Sequence, residues 1–205
     1  AHGGPGRFAF DPLARLTEAD VADPAADRER LLREWGAYMR LGKPVLLEKS
    51  PPNLLRARYF QALFEDAAFV MIVRHPIANA LATQKWSGTT MSELFLHWSV
   101  AHELLLHDWP AVRSGVILRY EDLVSNPARF VGEVFALLGN PGGEPVGLDE
   151  LADRNPGYFD RWAEIAGRNP DFVETIWPRP VMARFGYALN PPYVREPGDA
   201  PVARR

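Results

Sequence analysis

The stretch Phe69-Val70-Met71-Ile72-Val73-Arg74-His75-Pro76 decides the fold. Its five consecutive apolar residues are too few for a buried helix, and they are typical of a strand that is buried on both faces. The proline suits the first turn of a helix, where the backbone N–H that it lacks would have no partner. The stretch therefore predicts a strand, a tight turn and then a helix from Ile77 to about Trp86.

Similar patterns occur on both sides of this stretch. Pro44–Leu47 is a short apolar run before Ser50, which predicts a strand followed by a capped helix to Phe64. Val116–Leu118 predicts a third strand, and a helix is expected from Pro127 to Leu138. Because apolar strands alternate with helices, the sequence predicts an α/β fold with a parallel sheet flanked by helices on both faces.

Further helices and a tail complete the expected organisation. Asp23-Pro24 predicts a helix that runs to Gly42, and an apolar stripe predicts a long helix over Met91–Asp108, capped by Thr90 or Ser92. Glycine and proline concentrate after Gly139, which predicts mostly loops, with a short helix at Tyr158–Trp162 that packs back on the domain. We therefore expect a single domain over residues 1–205, with its core at about 24–139 and an irregular, loop-rich tail at 140–205.

The composition excludes several classes of protein. The 205 residues include no cysteine, which excludes disulfides, thiolate zinc sites, iron–sulfur clusters and cysteine nucleophiles. A net charge of −3 gives no electrostatic footprint for nucleic acid, so no nucleic-acid partner is expected. No apolar run approaches the roughly 18 residues of a membrane helix. No signal peptide is visible at the start, and a cytoplasmic location is the expectation.

Three histidines lie five residues apart on the predicted long helix, at His97, His102 and His107. That spacing rotates successive side chains by about 140°, whereas two metal ligands on one helix face need a spacing of three or four residues. We expect isolated surface histidines and no metal site.

Polar residues follow each predicted strand, and ligands collect at the carboxyl ends of parallel strands. These are Glu48-Lys49-Ser50, Arg74-His75 and Arg119-Tyr120-Glu121-Asp122. Lys49 and Arg74 would each lie beside the first turn of a helix, where free N–H groups favour an anion. The sequence thus predicts a phosphate or sulfate site, the alternative being that each cation is an ordinary solvated side chain.

Three segments, in this order, resemble the sulfotransferases that use 3′-phosphoadenosine 5′-phosphosulfate (PAPS). They are Leu47–Leu55, Phe64–Pro76 and Leu118–Leu123, the last followed by Asn126-Pro127. The resemblance covers roughly residues 44–139 and implies a P-loop NTPase-like architecture. It also implies PAPS as co-substrate, no metal, and transfer of a sulfuryl group to a hydroxyl or amine of a small-molecule or carbohydrate acceptor.

The resemblance implies a role for each matching residue. Lys49 matches the lysine that stabilises charge on the leaving oxygen, Arg74 the arginine that binds the nucleotide 3′-phosphate, and Tyr120 a tyrosine near the adenine. Glu48 is the nearest carboxylate that could act as the general base. It could equally pair with Lys49 or Arg56.

The sequence departs from the family pattern in two places. The family usually has a serine eight positions after the arginine, where this chain has Ala82, so we expect Thr83 or Lys85 to replace it. Nothing before residue 44 resembles the loop that binds the 5′-phosphosulfate, so we expect that the chain enters the fold after its first strand.

Other candidates and other functions remain open. Trp86 is a candidate acceptor contact, and late basic residues are candidates for binding the nucleotide phosphates, namely Arg161, Arg168 and Arg184. Two alternative functions are a non-catalytic nucleotide-binding or scaffold module and a P-loop kinase-like phosphotransferase.

Overall fold

The computed structural model describes residues 4–139, 151–169, 171, 179–189, 192–194 and 203–204. The strands are β1 Phe69–Val73, β2 Gly115–Arg119, β3 Tyr187–Leu189, β4 Pro192–Val194 and β5 Ala203–Arg204. The helices are α1 Pro24–Gly36, α2 Ala57–Leu63, α3 Pro76–Gln84, α4 Met91–Asp108, α5 Tyr120–Ser125, α6 Pro127–Leu137, α7 Pro156–Arg168 and α8 Arg179–Arg184.

Two parallel strands form the centre of the sheet. β1 pairs with β2 so that Phe69 lies opposite Gly115 and Val73 opposite Arg119. β5 adds to the other side of β2 in antiparallel fashion, and β3 and β4 form a separate hairpin. The predicted α/β class with a parallel sheet flanked by helices is confirmed, and β1, α4 and the neighbouring helices begin and end close to their predicted positions.

Local capping explains where two of the helices begin. Thr90 and Glu93 form a capping box at the start of α4, in which each side chain accepts a hydrogen bond from the other residue's backbone N–H. The Asp23 carboxylate accepts hydrogen bonds from the N–H groups of Ala25 and Ala26 at the start of α1. These contacts use residues that the sequence marks as caps.

Helices cover both faces of β2. Ile117 lies on one face in the main core with residues of α3 and α4, whereas Val116 and Leu118 pack on the other face against Phe130 of α6. β1 is covered on one face only, because Val70 and Ile72 are 38% and 51% exposed. The prediction of a strand buried on both faces therefore holds for β2 and is wrong for β1.

The predicted strand at Pro44–Leu47 is wrong. This segment is irregular, Val45 and Leu47 are more than half exposed, and α1 ends at Gly36 instead of Gly42. A strand needs a neighbour to pair its backbone N–H and C=O groups, and the described sheet places none beside this segment. The predicted helix after it begins as a 3-10 helix, Pro51–Leu55, and continues as α2.

Two stretches of the tail take part in the core. Trp162 of α7 is 1% exposed, and Phe185, Tyr187 and Leu189 are buried in the same cluster as Trp98. The three aromatic tail residues among them bury large surfaces, which stabilise a core strongly. The helix expected at Tyr158–Trp162 lies within α7 and packs on the core, whereas α8 and β3 are regular structure where loops are expected.

The core also extends before residue 24. Phe8 and Ala9 pack in a second buried cluster with Leu55 and Ala101. Among the described residues, no helix has both the length and the apolar character that crossing a membrane requires.

Candidate functional site

Arg74 and Tyr120 lie side by side at the carboxyl ends of β1 and β2. The guanidinium carbon of Arg74 is 4.4 Å from the centre of the Tyr120 ring and 5.2 Å from the centre of the Tyr158 ring of α7. Both distances are within the range of cation–π attraction. The parallel sheet thus brings two predicted site residues together, and the tail adds a second ring to them.

One edge of the Arg74 guanidinium is only half occupied. Its Nε donates to Oδ1 of Asn155 at 2.8 Å, while Nη2, on the same edge, is buried and has no hydrogen-bond partner among the described residues. Arg119 uses the same two nitrogens to hold both oxygens of Asp122, at 2.7 and 2.6 Å. Arg119 therefore uses both nitrogens of this edge to bind a carboxylate. In Arg74 only one of the two nitrogens has an acceptor.

Glu121 holds the residues around Arg74 in place. Its Oε1 accepts from the backbone N–H of His75 at 3.0 Å and from Nδ2 of Asn155 at 2.7 Å, and its Oε2 accepts from the Tyr187 hydroxyl at 2.6 Å. Burial, together with the Glu121 charge, raises the pKa of Tyr187 well above its ordinary value. The Tyr187 hydroxyl therefore stays protonated and remains a donor.

His75 is a fully buried structural residue. Its Nδ1 accepts from the N–H of Ile77 at 3.2 Å, so the proton of the neutral ring is on Nε2, which donates to the carbonyl oxygen of Ala188 at 3.0 Å. His75 thus caps α3 and ties the start of that helix to β3.

Lys85 joins the site through Tyr158. Its Nζ lies 4.8 Å from the centre of the Tyr158 ring and donates to the Tyr158 hydroxyl at 3.2 Å. The hydroxyl of Thr83 instead donates to the Asn79 carbonyl at 2.8 Å. Of the two predicted replacements for the family's serine, Lys85 is the one that shares a ring with Arg74, and the role of Thr83 stays a prediction.

Glu48 and Lys49 lie in a different hydrogen-bonded group. Glu48 accepts from the Ser50 hydroxyl at 2.7 Å and from the Asn53 amide, so Ser50 does not cap the helix that follows. Lys49 is exposed, and no hydrogen bond, ion pair or ring contact joins Glu48 or Lys49 to Arg74 in the described part of the chain. Their roles stay predictions.

The other candidates lie on the surface. Trp86 is 81% exposed, and the three tail arginines that the sequence singles out are also exposed. The tail contributes Asn155 and Tyr158 to the site, and the roles of Trp86 and the three arginines stay predictions. Asn155-Pro156 signals a helix start, but no sequence pattern links Asn155 to Arg74, which lies 81 positions earlier.

The expectation of surface histidines is wrong for two of the three. His97 packs edge-on against Phe8, His102 stacks on Trp98 with ring centres 4.0 Å apart, and burial lowers the pKa of each histidine to about 4. Only His107 is exposed. Within the part of the chain that the structure describes, no cluster of three or more histidine or acidic residues could hold a metal ion.

The family comparison agrees with this architecture. A family model described as "Sulfotransferase family" matches residues 10–143, and the chain belongs to this family. No curated protein and no solved structure matches it. The matched region contains Lys49, Arg74 and Tyr120 and ends before Asn155 and Tyr158.

Proposed function

We propose that the protein transfers a sulfuryl group from PAPS to an acceptor hydroxyl or amine. The observation that supports this proposal is the half-occupied guanidinium edge of Arg74 beside two tyrosine rings. A buried nitrogen of a charged group without a partner is costly, by about 1–3 kcal/mol or more, so such a donor favours binding of an acceptor. Because Nη2 is buried, a phosphate oxygen would reach it only after a covering side chain moves, and we propose that nucleotide binding causes this movement.

The residues around Arg74 suit the 3′-phosphate of PAPS. A planar guanidinium can donate to two phosphate oxygens, and Lys85 adds a second positive charge for a dianion. The Tyr120 hydroxyl donates to the Ala152 carbonyl and accepts from the N–H of Arg154, both at 3.1 Å, so the ring beneath Arg74 is held in place. Arg74, Lys85 and Tyr120 are therefore proposed to hold the 3′-phosphate end of the nucleotide.

Catalysis of sulfuryl transfer is mainly positioning and stabilisation of charge, as in phosphoryl transfer. Bound PAPS supplies the sulfuryl group. We assign Lys49, whose ammonium group is exposed, to stabilising negative charge on the leaving side. Glu48 is the nearest carboxylate that could take the acceptor proton, because its oxygens keep lone pairs beside the hydrogen bonds from Ser50 and Asn53. Trp86 is the proposed contact for a small-molecule or carbohydrate acceptor.

The test is calorimetry of the full chain with adenosine 3′,5′-bisphosphate and with adenosine 5′-phosphate, in the presence of a metal chelator. Hydrogen bonds to charged groups contribute about 1.5–3 kcal/mol, so the bisphosphate should bind at least about tenfold more tightly. Equal affinities for the two nucleotides would contradict the proposed 3′-phosphate site.

A nucleotide-binding module without transferase activity is the second candidate. It is favoured by the lack of a described contact between Glu48 or Lys49 and the Arg74 group. Metal-independent transfer of labelled sulfate from PAPS to any acceptor in a panel would exclude this candidate, and would also exclude the kinase alternative.

A further inference from the structure

Asn155 connects a buried carboxylate to the guanidinium of Arg74. Its side-chain Nδ2 donates to Oε1 of Glu121 at 2.7 Å, and its Oδ1 accepts from Nε of Arg74 at 2.8 Å. Asn155 is 1% exposed, so water does not compete for these atoms. The side chain thus uses a donor on one side and an acceptor on the other.

The orientation of the Asn155 amide is fixed by its two partners. If the amide were flipped, its NH2 group would face the Arg74 N–H, and its oxygen would face the Glu121 carboxylate. Both pairs would then repel, and two buried hydrogen bonds would be lost. Glu121 cannot easily turn away, because the His75 N–H and the Tyr187 hydroxyl also donate to it.

The neutral charge of Asn155 is as important as its position. Asp122 accepts from both nitrogens of one edge of Arg119 and neutralises its charge. The two residues form a buried structural ion pair. Asn155 takes one nitrogen of Arg74 and brings no charge. The Arg74 guanidinium is therefore oriented, and no ion pair among the described residues neutralises its positive charge.

We propose that Asn155 is a positioning residue that, with Glu121, orients Arg74 to receive the 3′-phosphate of the nucleotide. This inference rests on the proposed function. Asn155 lies beyond residues 10–143, where the family match ends, so the match itself assigns it no role. Its effect is exerted through Arg74 and not through contact with the reacting atoms.

The first test needs no nucleotide. In the free full chain, NMR would measure the solvent exchange of the Arg74 Nε–H, assigned by its disappearance in Arg74→Lys. Asn155→Ala removes the acceptor, so exchange should become about tenfold faster or more. An unchanged exchange rate would overturn the proposed positioning of Arg74.

The second test measures affinity by calorimetry. Asn155→Ala should weaken the binding of adenosine 3′,5′-bisphosphate by about tenfold. It should change the affinity for adenosine 5′-phosphate by less than about twofold. In an Arg74→Ala background the same substitution should have little further effect, because coupled residues are not additive. Equal losses for both nucleotides, or a full further loss in the Arg74→Ala background, would show a merely structural role and overturn the proposal.

Ser99→Ala is the matched control. Ser99 is 2% exposed and donates one side-chain hydrogen bond to the Phe95 carbonyl within α4, and no described side-chain hydrogen bond joins it to Arg74, Asn155 or Glu121. Its loss should leave both readouts unchanged, and a change equal to that of Asn155→Ala would overturn the proposal. A wild-type chain that does not prefer the bisphosphate would overturn the proposed function, while the exchange measurement would still judge the contact between Asn155 and Arg74.

Discussion

Two arginines at the ends of neighbouring strands have different tasks. Arg119 is 4% exposed and donates to both oxygens of Asp122 with the two nitrogens of one edge. Arg74 is half-buried and donates with one nitrogen of that edge to the single side-chain oxygen of Asn155. The same residue type is therefore structural in one place and a candidate ligand-binding group in the other. What separates them is the number of acceptor atoms that each finds in the folded chain.

Lys85 should contribute to binding through charge alone. Because an exposed ion pair is worth about 0.2–1 kcal/mol, Lys85→Met should weaken the binding of adenosine 3′,5′-bisphosphate by about 1.4- to fivefold. The variant should also bind with a weaker dependence on salt, since screening acts on the charge that was removed. Calorimetry at two ionic strengths measures both effects.

Lys43→Met provides the control for Lys85, because Lys43 is also exposed and lies outside the site. It should leave the affinity and its salt dependence unchanged. An equal effect of the two substitutions would mean that Lys85 acts only through the overall charge of the protein.

At the scale of elements, the contact between β1 and β2 depends on a glycine. A Cβ atom on Gly115 would lie 2.8 Å from the Phe69 carbonyl oxygen and 2.8 Å from an atom of the Trp109 ring. Gly115→Ala should therefore lower the free energy of unfolding by about 1–3 kcal/mol, as overpacking does elsewhere. Urea unfolding followed by circular dichroism measures this change.

Gly132 in α6 offers a matched substitution, because a Cβ there would have nothing within 4 Å. Gly132→Ala should raise the free energy of unfolding by about 0.5–1 kcal/mol, since alanine loses less entropy in a helix. If both substitutions stabilised the protein, the close approach of β2 to β1 would be contradicted.

Elements with strong local signals could be predicted from the sequence. β1 and α4 begin and end at their predicted residues, because an apolar run or an amphipathic stripe with a capping box defines them. Pro44–Leu47 has a similar apolar run and is not a strand. Whether such a run forms a strand depends on a pairing partner, which its own residues do not specify.

The candidate site could be predicted only in part. Arg74 and Tyr120 are predictable because each directly follows a strand of a parallel sheet, and these ends meet at one edge. Asn155 and Tyr158 are not, because they come from a tail whose packing on α3 depends on tertiary structure. The aromatic residues of this glycine- and proline-rich tail do not indicate by themselves at which strand end they lie.

At the scale of the whole molecule, stability should fall between pH 7 and pH 5. The pKa of both His97 and His102 is lowered by burial from 6.5 to about 4, so the unfolded chain takes up protons that the folded chain does not. The two neutral histidines do not reduce the free energy of unfolding above about pH 6.5. Their effect lowers it progressively as the pH falls from about 6.5 to 4. At pH 5 the loss should be about 2 kcal/mol for each histidine, relative to pH 7.

Urea unfolding at several pH values tests this prediction through its slope. His97→Asn should remove about half of the histidine-dependent slope, whatever it does to stability at pH 7. His107→Gln should leave the slope unchanged, because His107 is exposed. A slope that survives in His97→Asn without any reduction would contradict a buried, neutral His97.

Arg74, at the carboxyl end of β1, is proposed to bind the 3′-phosphate of the nucleotide. The most direct measurement is the calorimetric Kd of adenosine 3′,5′-bisphosphate for the wild-type chain, for Arg74→Ala and for Arg33→Ala, a variant of an exposed arginine of α1. We expect Arg74→Ala to raise the Kd by about 10- to 100-fold and Arg33→Ala to change it by less than about twofold. A Kd for Arg74→Ala within about twofold of the wild-type value would contradict the proposed 3′-phosphate site.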